Sequence, residues 1–315
     1  MTRLPLSLDR TGVPPIKCQG IKTKLVPFIL GSIRWDSGSS GRWIEPFLGS
    51  GVVALNLAPQ RALLSDANPH IIEFYRSVQS GEINGVSVRD YLMAEGAKLR
   101  ESNGEHYYVV RERFNKEKSP LDLLFLNRSC FNGLMRFNRR GEFNTPFGHK
   151  PGRFTTSYIT KIVNQVRWAA RQMSGRDWEF RVADWGSTLA EARDEDFVYL
   201  DPPYIGRHTD YYSAWGDDQA QRLAQFARGL PCGFALSMWL ENRYRRNEHI
   251  DESWSGNEVR VCTHFYHVGS SEDLRAEMEE ALVVRPGFAM ADSGKQTTRI
   301  AMKDASQLAL ALQAA

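Results

Sequence analysis

Short apolar runs alternate with glycine turns and amphipathic stretches in two separate parts of the chain. Apolar spacing predicts helices over residues 161–173 and 217–230. Four runs have the length and composition of buried strands in a parallel sheet: residues 44–47, 62–64, 179–182 and 197–200. The first two of these strands, with a glycine turn and a short helix ending at Leu57 between them, form a βαβ unit. The pattern therefore predicts an α/β fold with a doubly wound, Rossmann-like sheet.

The pattern changes between residues 83 and 160. Charged helical stretches come first, and the segment "FLNRSCFNGLMRFNRRGEFNTPFG" follows, with "RRGEF" where a hairpin would turn. We therefore expect one catalytic domain, formed by residues 1–82 and 161–315, with a helical and β-hairpin domain inserted at 83–160. Near the C-terminus, "HVGSSEDLRAEM" has a helix-start signal, with Ser270 or Ser271 as the cap.

Composition and charge are those of an ordinary globular protein. Hydrophobic residues make up 42% of the 315 residues, charged residues make up 24%, and the net charge is +3, so an acidic partner must meet a local basic patch. The four cysteines are scattered, and no His or Cys spacing predicts a metal site, which disfavours a zinc deaminase. We see no signal peptide and no membrane span, and we expect a cytoplasmic protein.

The strand at 197–200 runs into "DPPY", where two prolines must end it. Open α/β sheets bind ligands at the carboxyl ends of their strands. The carboxylate of Asp201 and the main-chain carbonyl of Pro202 would each accept one N–H of an exocyclic amino group, which directs the nitrogen lone pair at an electrophile. Tyr204 offers a face for a base extruded from a duplex. This pattern favours methylation or similar chemistry on a nucleobase amino group.

A second site pattern lies upstream, in "EPFLGSG" and the strand that follows it. Gly49 and Gly51 let a ligand approach the backbone at the positive end of a helix. Asp66, at the end of the next strand, is placed to accept hydrogen bonds from both ribose hydroxyls. The third glycine of the dinucleotide fingerprint is missing, which favours an adenosyl ligand over a pyrophosphate-bearing one.

Basic and aromatic residues are interleaved in the inserted segment. Five cations stand against a single acid, Glu142: Arg136, Arg139, Arg140, Lys150 and Arg153. Basic residues at a hairpin tip suit phosphates and guanine edges. We expect most of the interleaved residues Phe131, Phe137, Phe143, Phe147 and Phe154 to belong to the core of the small domain.

Taken together, these motifs resemble the α-class, Dam-like (D12 class) DNA adenine-N6 methyltransferases over nearly the whole chain. "KCQGIKTKLVPFI" is similar to the family's N-terminal cofactor segment K-W-A-G-G-K, with Cys18 where the family has Trp. The resemblance implies S-adenosylmethionine as cofactor and double-stranded DNA as substrate. It implies a cofactor site formed by Cys18, Lys22, Glu45, Phe47, Gly49, Gly51, Asp66, Asp184, Trp185 and Asp201. It also implies DNA contacts by Asn132, Leu134, Arg136, Arg139, Arg140, Pro146 and Lys150.

We therefore expect a Rossmann-like methyltransferase that flips adenine out of a specific DNA site and methylates N6. A monomer is adequate, because a duplex with two-fold symmetry can be modified one strand at a time. The enzyme would be an orphan methylase or the protective half of a restriction–modification pair, whose endonuclease need not bind it physically. Two alternatives stay open at this point: a ribosomal RNA adenine methyltransferase, and a DNA-binding protein that has lost catalysis. Cytosine-N4 methylation is disfavoured, because those enzymes usually have Ser in place of Asp201.

Overall fold

A seven-stranded mixed sheet forms the centre of the protein. The computed structural model describes residues 10–35, 40–203, 215–242, 247–267 and 275–291. The strands are β1 Trp43–Glu45, β2 Arg61–Asp66, β3 Asp177–Val182, β4 Phe197–Leu200, β5 Gly233–Asn242, β6 Glu258–His267 and β7 Arg275–Val284. The order across the sheet is β3-β2-β1-β4-β5-β7-β6, with β3 to β5 parallel and β7 antiparallel to both of its neighbours. The chain adds strands on one side of β1 up to β3 and on the other side from β4 onward, so the strand order reverses between β1 and β4. An open α/β sheet has its binding crevice at this position.

Helices cover both faces of this sheet. They are α1 Val26–Ser32, α2 Val52–Leu57, α3 Pro69–Ser80, α4 Gly85–Glu101, α5 His106–Glu117, α6 Pro120–Ser129, α7 Thr156–Met173, α8 Trp185–Leu189, α9 Asp217–Arg228 and α10 His249–Ser253. Among the described residues, no helix combines the length and apolar character needed to cross a membrane.

Successive side chains of each strand point to opposite faces of the sheet, so the buried apolar residues form one core on each face. Trp43 and Leu64 face the core that includes α2, α3 and α7, whereas Ile44 and Leu63 face the core that includes α9. Trp43 stacks on Phe197 of β4, with ring centroids 5.4 Å apart. The buried aromatic stack fixes β1 against β4, so that the residues following both strands open at the same edge.

Helices α4, α5 and α6 lie between α3 and α7 in the chain and are joined through two buried carboxylates, Glu95 and Asp122. Glu95 of α4 contacts Arg113 and His106 of α5, and Arg113 also contacts Asp122 of α6 at 2.5 Å. Burial alone would raise the pKa of Glu95, but hydrogen bonds from Lys98, His106 and Arg113 hold it at about 2. The helices of the predicted insertion therefore share one charged network.

Most predicted elements agree with the structure within a few residues, and β4 agrees at both ends. The helix predicted to start within "HVGSSEDLRAEM" is wrong over the described residues of that segment: Arg275–Met278 begin strand β7, which pairs with β6 from His267↔Arg275 onward. Pairing with the neighbouring strand β6 overrides the local helix preference of these residues. The cap residues Ser270 and Ser271 lie outside the described residues.

Candidate active site

A cleft of about 1230 Å³ opens at the carboxyl ends of β1, β2 and β4. Its floor is formed by the turns that follow these strands, and its rim by α8, α9 and the segment before α1. Most of the predicted site residues line it: Cys18, Lys22, Glu45, Phe47, Gly49, Asp66, Asp184, Trp185, Asp201 and Pro202. Residues far apart in the chain thus meet in one cavity large enough for a small-molecule ligand and a base.

The glycine turn is tied to the end of β2 through Asp66. The backbone N–H of Gly49 donates to Asp66 Oδ2 at 2.8 Å, and that of Asn68 donates to Oδ1 at 2.8 Å. Gly49 and Gly51 have φ values of +49° and +65°, a region in which residues with a Cβ are strained. Gly51 does not line the cleft; it caps α2, and a Cβ there would lie 3.3 Å from Leu48 Cδ1. The turn therefore fixes the Asp66 carboxylate at the cleft wall.

Asp201, at the start of the "DPPY" turn after β4, forms an ion pair with Lys22 of the N-terminal segment. Lys22 Nζ lies 2.8 Å from Asp201 Oδ1 and also donates to the carbonyl of Gly20 at 2.9 Å. The lysine side chain is 2% exposed, whereas the aspartate side chain is 25% exposed, toward the cleft. Burial raises the pKa of Asp201, and Lys22 partly offsets that rise. Lys22 thus stabilises the ionised carboxylate at the end of β4.

Glu45 is a third carboxyl group at this edge, after Asp66 and Asp201, and it is 3% exposed. Trp43, two residues earlier on the same face of β1, donates its indole N–H to Glu45 Oε1 at 2.7 Å. Burial raises the pKa of Glu45 to about 8, and the charge of Asp201 adds to the rise. Glu45 is therefore mostly protonated at neutral pH in the ligand-free cleft.

Cys18 faces the glycine turn: its Sγ lies 3.8 Å from the position that a Cβ on Gly49 would take. Burial raises the pKa of the Cys18 thiol, and the carboxylates of Asp66 and Asp201 raise it further. The thiol is therefore protonated near neutral pH and is not a reactive nucleophile.

The outer wall is formed by α8 and α9. Asp184 caps α8 by accepting from the backbone N–H of Gly186 at 2.9 Å, and Trp185 contacts Phe226 of α9 edge to face at 6.0 Å. Sequence analysis missed several lining residues, among them Met135, Trp215, Gln219, Arg222, Gln225 and Phe226. Gln219, Arg222 and Gln225 lie on the polar side of α9, opposite Ala220, Leu223 and Ala227. The helical period shows that side without showing what it faces. The predicted catalytic residue Tyr204 lies outside the described residues.

Residues 131–150, in the segment predicted to be inserted, form a loop and a hairpin with many exposed side chains. Phe137 and Phe143 pair as an antiparallel bridge, and the backbone N–H of Asn138 donates to the Glu142 carbonyl at 2.9 Å. Met135 of the same loop lines the cleft. Of the residues predicted to contact DNA, Leu134 is half-buried and the others are exposed: Asn132, Arg136, Arg139, Arg140, Pro146 and Lys150. The cations of this loop and hairpin are therefore presented to solvent.

Packing explains most of the aromatic residues in this segment. Four are buried in the core: Phe137, Phe143, Phe147 and Phe154. Phe131 is 47% exposed, in a short 3₁₀ turn with Asn132, whose φ is +53°. The expectation that most of these phenylalanines are core residues is confirmed.

Comparison with known proteins places this geometry in a family. The family model for the D12 class N6 adenine-specific DNA methyltransferases matches residues 19–269. The chain is 31% identical over 252 residues to the type II methyltransferase M.MjaIII of Methanocaldococcus jannaschii, covering 73% of this chain and 84% of that protein. It is 36% identical over 212 residues to the DNA adenine methylase of Serratia marcescens (63% and 73% covered). It is 33% identical over 255 residues to that of Vibrio cholerae (76% and 86% covered). The chain belongs to the D12 class of N6 adenine-specific DNA methyltransferases.

Proposed function

We propose that the protein transfers a methyl group from S-adenosylmethionine to N6 of an adenine flipped out of a specific site in duplex DNA. One observation carries the proposal: the glycine turn with Asp66 and the Asp201–Pro202 corner open into the same cleft. Family membership supports DNA adenine as the substrate, and neither alternative, an RNA substrate or an inactive binding protein, gains support from the comparisons.

The residues present fit S-adenosylmethionine. Gly49 and its left-handed turn leave the backbone open at the cleft wall, and Asp66 is held by two backbone N–H groups in a position suited to ribose hydroxyls. The described lining contains four carboxyl groups and two cations, which suits a cationic ligand. We propose that Cys18, Phe47, Asp184 and Trp185 complete this half of the cleft. When bound, the cofactor supplies an electrophilic methyl group on a sulfonium.

The chain's own contribution to the chemistry is the positioning of the adenine amino group. The nitrogen lone pair of that group is delocalised into the ring, so the nitrogen is a poor nucleophile. In our proposal Asp201 Oδ2 and the Pro202 carbonyl each accept one N–H, which favours a pyramidal nitrogen with its lone pair directed outward. Asp201 Oδ1 is already held by Lys22 at 2.8 Å, so the carboxylate is fixed before the base arrives. The amino proton becomes acidic only as the new bond forms, and Asp201 is the acceptor next to it.

DNA would bind across the mouth of the cleft. Arg136, Arg139, Arg140 and Lys150 are exposed on the hairpin side and suit phosphates and guanine edges. We propose that Asn132, Leu134 and Pro146 contact the duplex from the same loop, and that Tyr204 stacks on the extruded base. A monomer that modifies one strand at a time suffices for this arrangement, and a functional link to a restriction endonuclease remains a prediction.

The test is a competition assay with labelled S-adenosylmethionine, mixed duplex DNA and structured ribosomal RNA, followed by nucleoside mass spectrometry. We expect N6-methyldeoxyadenosine as the labelled product. Methyladenosine in the RNA would favour the RNA alternative, and failure to bind the cofactor in calorimetry would favour the inactive DNA-binding alternative.

A further inference from the structure

Carboxyl groups outnumber cations along the described cleft, and their protonation depends on one another. Glu45, Asp66, Asp184 and Asp201 line it together with Lys22 and Arg222. Lys22 Nζ forms an ion pair with Asp201 Oδ1 at 2.8 Å. Glu45 is the most deeply buried of the four acids, at 3% exposure, and its nearest polar partner is the neutral indole N–H of Trp43.

The surroundings of Glu45 come from several elements, and they favour its neutral form. Trp43 of β1 donates a hydrogen bond, and the Ala54 backbone of α2 also favours the carboxylate, yet burial outweighs both. Asp201 beyond β4 contributes a negative charge. The phenols of Tyr75 on α3 and Tyr199 on β4 also face it, and burial raises the pKa of both, so they stay neutral.

We propose that Glu45 senses the charge of the cofactor: it holds a proton in the free enzyme and releases it to solvent when a sulfonium-bearing cofactor enters. This inference rests on the cofactor assigned under the proposed function. The ammonium and the carboxylate of the cofactor offset each other, so its sulfonium brings a net positive charge into a wall of carboxyl groups. That charge favours ionised Glu45 by direct attraction. After methyl transfer the sulfur is a neutral thioether, so Glu45 regains a proton from solvent. Glu45 then makes the preference for cofactor over product depend on pH.

The number of protons released on cofactor binding follows from the pKa of Glu45. With a pKa of about 8, Glu45 is roughly nine-tenths protonated at pH 7. Complete ionisation on binding therefore releases about 0.9 proton, and the cofactor Kd falls about tenfold per pH unit between pH 6 and 7.5 before levelling above 8. S-adenosylhomocysteine has the same ammonium without the sulfonium charge, so it isolates the contribution of that charge.

The experiment is calorimetric titration of the full chain without DNA, at pH 7.0 and below, in buffers of different ionisation enthalpy. The ligands are S-adenosylmethionine and S-adenosylhomocysteine, and the variants are Glu45→Gln and, as a matched control on exposed α3 surface, Glu73→Gln. We expect release of about 0.9 proton with the cofactor and less than half of that with S-adenosylhomocysteine, in the wild type and in Glu73→Gln alike. Glu45→Gln should release none, and its Kd should not change with pH.

An infrared difference spectrum of the wild type gives a second readout that does not need the variant to fold. Cofactor binding should abolish the C=O stretch of one protonated carboxyl group. Any of three results would overturn the inference: binding heats that do not depend on the buffer in the wild type, equal proton release with both ligands, or unchanged proton release in Glu45→Gln. Absence of any cofactor binding would instead overturn the proposed function.

Discussion

Replacing Lys22 with methionine tests how the catalytic carboxylate is kept ionised. Lys22 Nζ lies 2.8 Å from Asp201 Oδ1 and is 2% exposed, so methionine fits the space but removes the charge. The pKa of Asp201 is already raised by burial, and Lys22 limits that rise. Loss of a counter-charge at this distance raises a carboxyl pKa by about 1–3 units. The raised pKa leaves fewer molecules with the carboxylate that the adenine amino group needs.

The assay is the pH profile of kcat/KM for methyl transfer to duplex DNA between pH 5.5 and 9. In Lys22→Met the acidic limb should move up by about 1–3 pH units, and activity should recover as the pH is raised. Lys24→Met is the matched control: Lys24 is exposed two residues away, and its profile should match the wild type. An acidic limb that stays in place in Lys22→Met, with activity lost equally at every pH, would refute this account of the ion pair.

Four further predictions follow from individual contacts. Gly49→Ala should lower the free energy of unfolding by about 1–2 kcal/mol, because φ is +49°, whereas Gly31→Ala within helix α1 should not destabilise; urea titration compares them. Cys18 should react with iodoacetamide at pH 8 at least about tenfold more slowly than a free thiol, because burial and two carboxylates raise its pKa; rapid labelling would contradict this. Joint replacement of Arg139 and Arg140 by glutamine should reduce the slope of the logarithm of the DNA-binding constant against the logarithm of the salt concentration by about 1–2. An unchanged slope would show that these arginines do not contact phosphates. The pKa of Glu95 is held at about 2, below its usual 4.5, so its stabilisation is present above pH 4.5 and is lost as the pH falls toward 2. Between pH 4.5 and pH 2, the free energy of unfolding should therefore fall by about 3 kcal/mol less in Glu95→Gln than in the wild type, as measured by urea titration. Equal falls in the two proteins would contradict the assignment.

Sequence patterns predicted the parts of the fold that short-range physics decides. Strand β4, Phe197–Leu200, is an apolar run ended by two prolines, so both its ends could be predicted. Asp66 follows an apolar run in the same way. Arg275–Met278 have helical preferences but form a strand, because pairing with β6 decides their conformation and the preferences of these four residues do not show that partner.

The electrostatics of the site could be predicted only in part. The resemblance placed Lys22 and Asp201 in the same region, but the contact between their side chains depends on how the N-terminal segment packs. The protonated state of Glu45 depends on burial and on Asp201, which sequence spacing does not show. The wall formed by Gln219, Arg222 and Gln225 was missed, because the polar side of an amphipathic helix usually faces solvent.

The central claim is that the Asp201 carboxylate positions the adenine amino group for the transfer step, in addition to any share it has in holding the cofactor. The most direct test is Asp201→Ala, assayed for single-turnover methyl transfer and for the Kd values of S-adenosylmethionine and duplex DNA. At cofactor and DNA concentrations that saturate the variant, the predicted result is loss of transfer by at least about a thousandfold. Transfer at the wild-type rate in Asp201→Ala would contradict the claim.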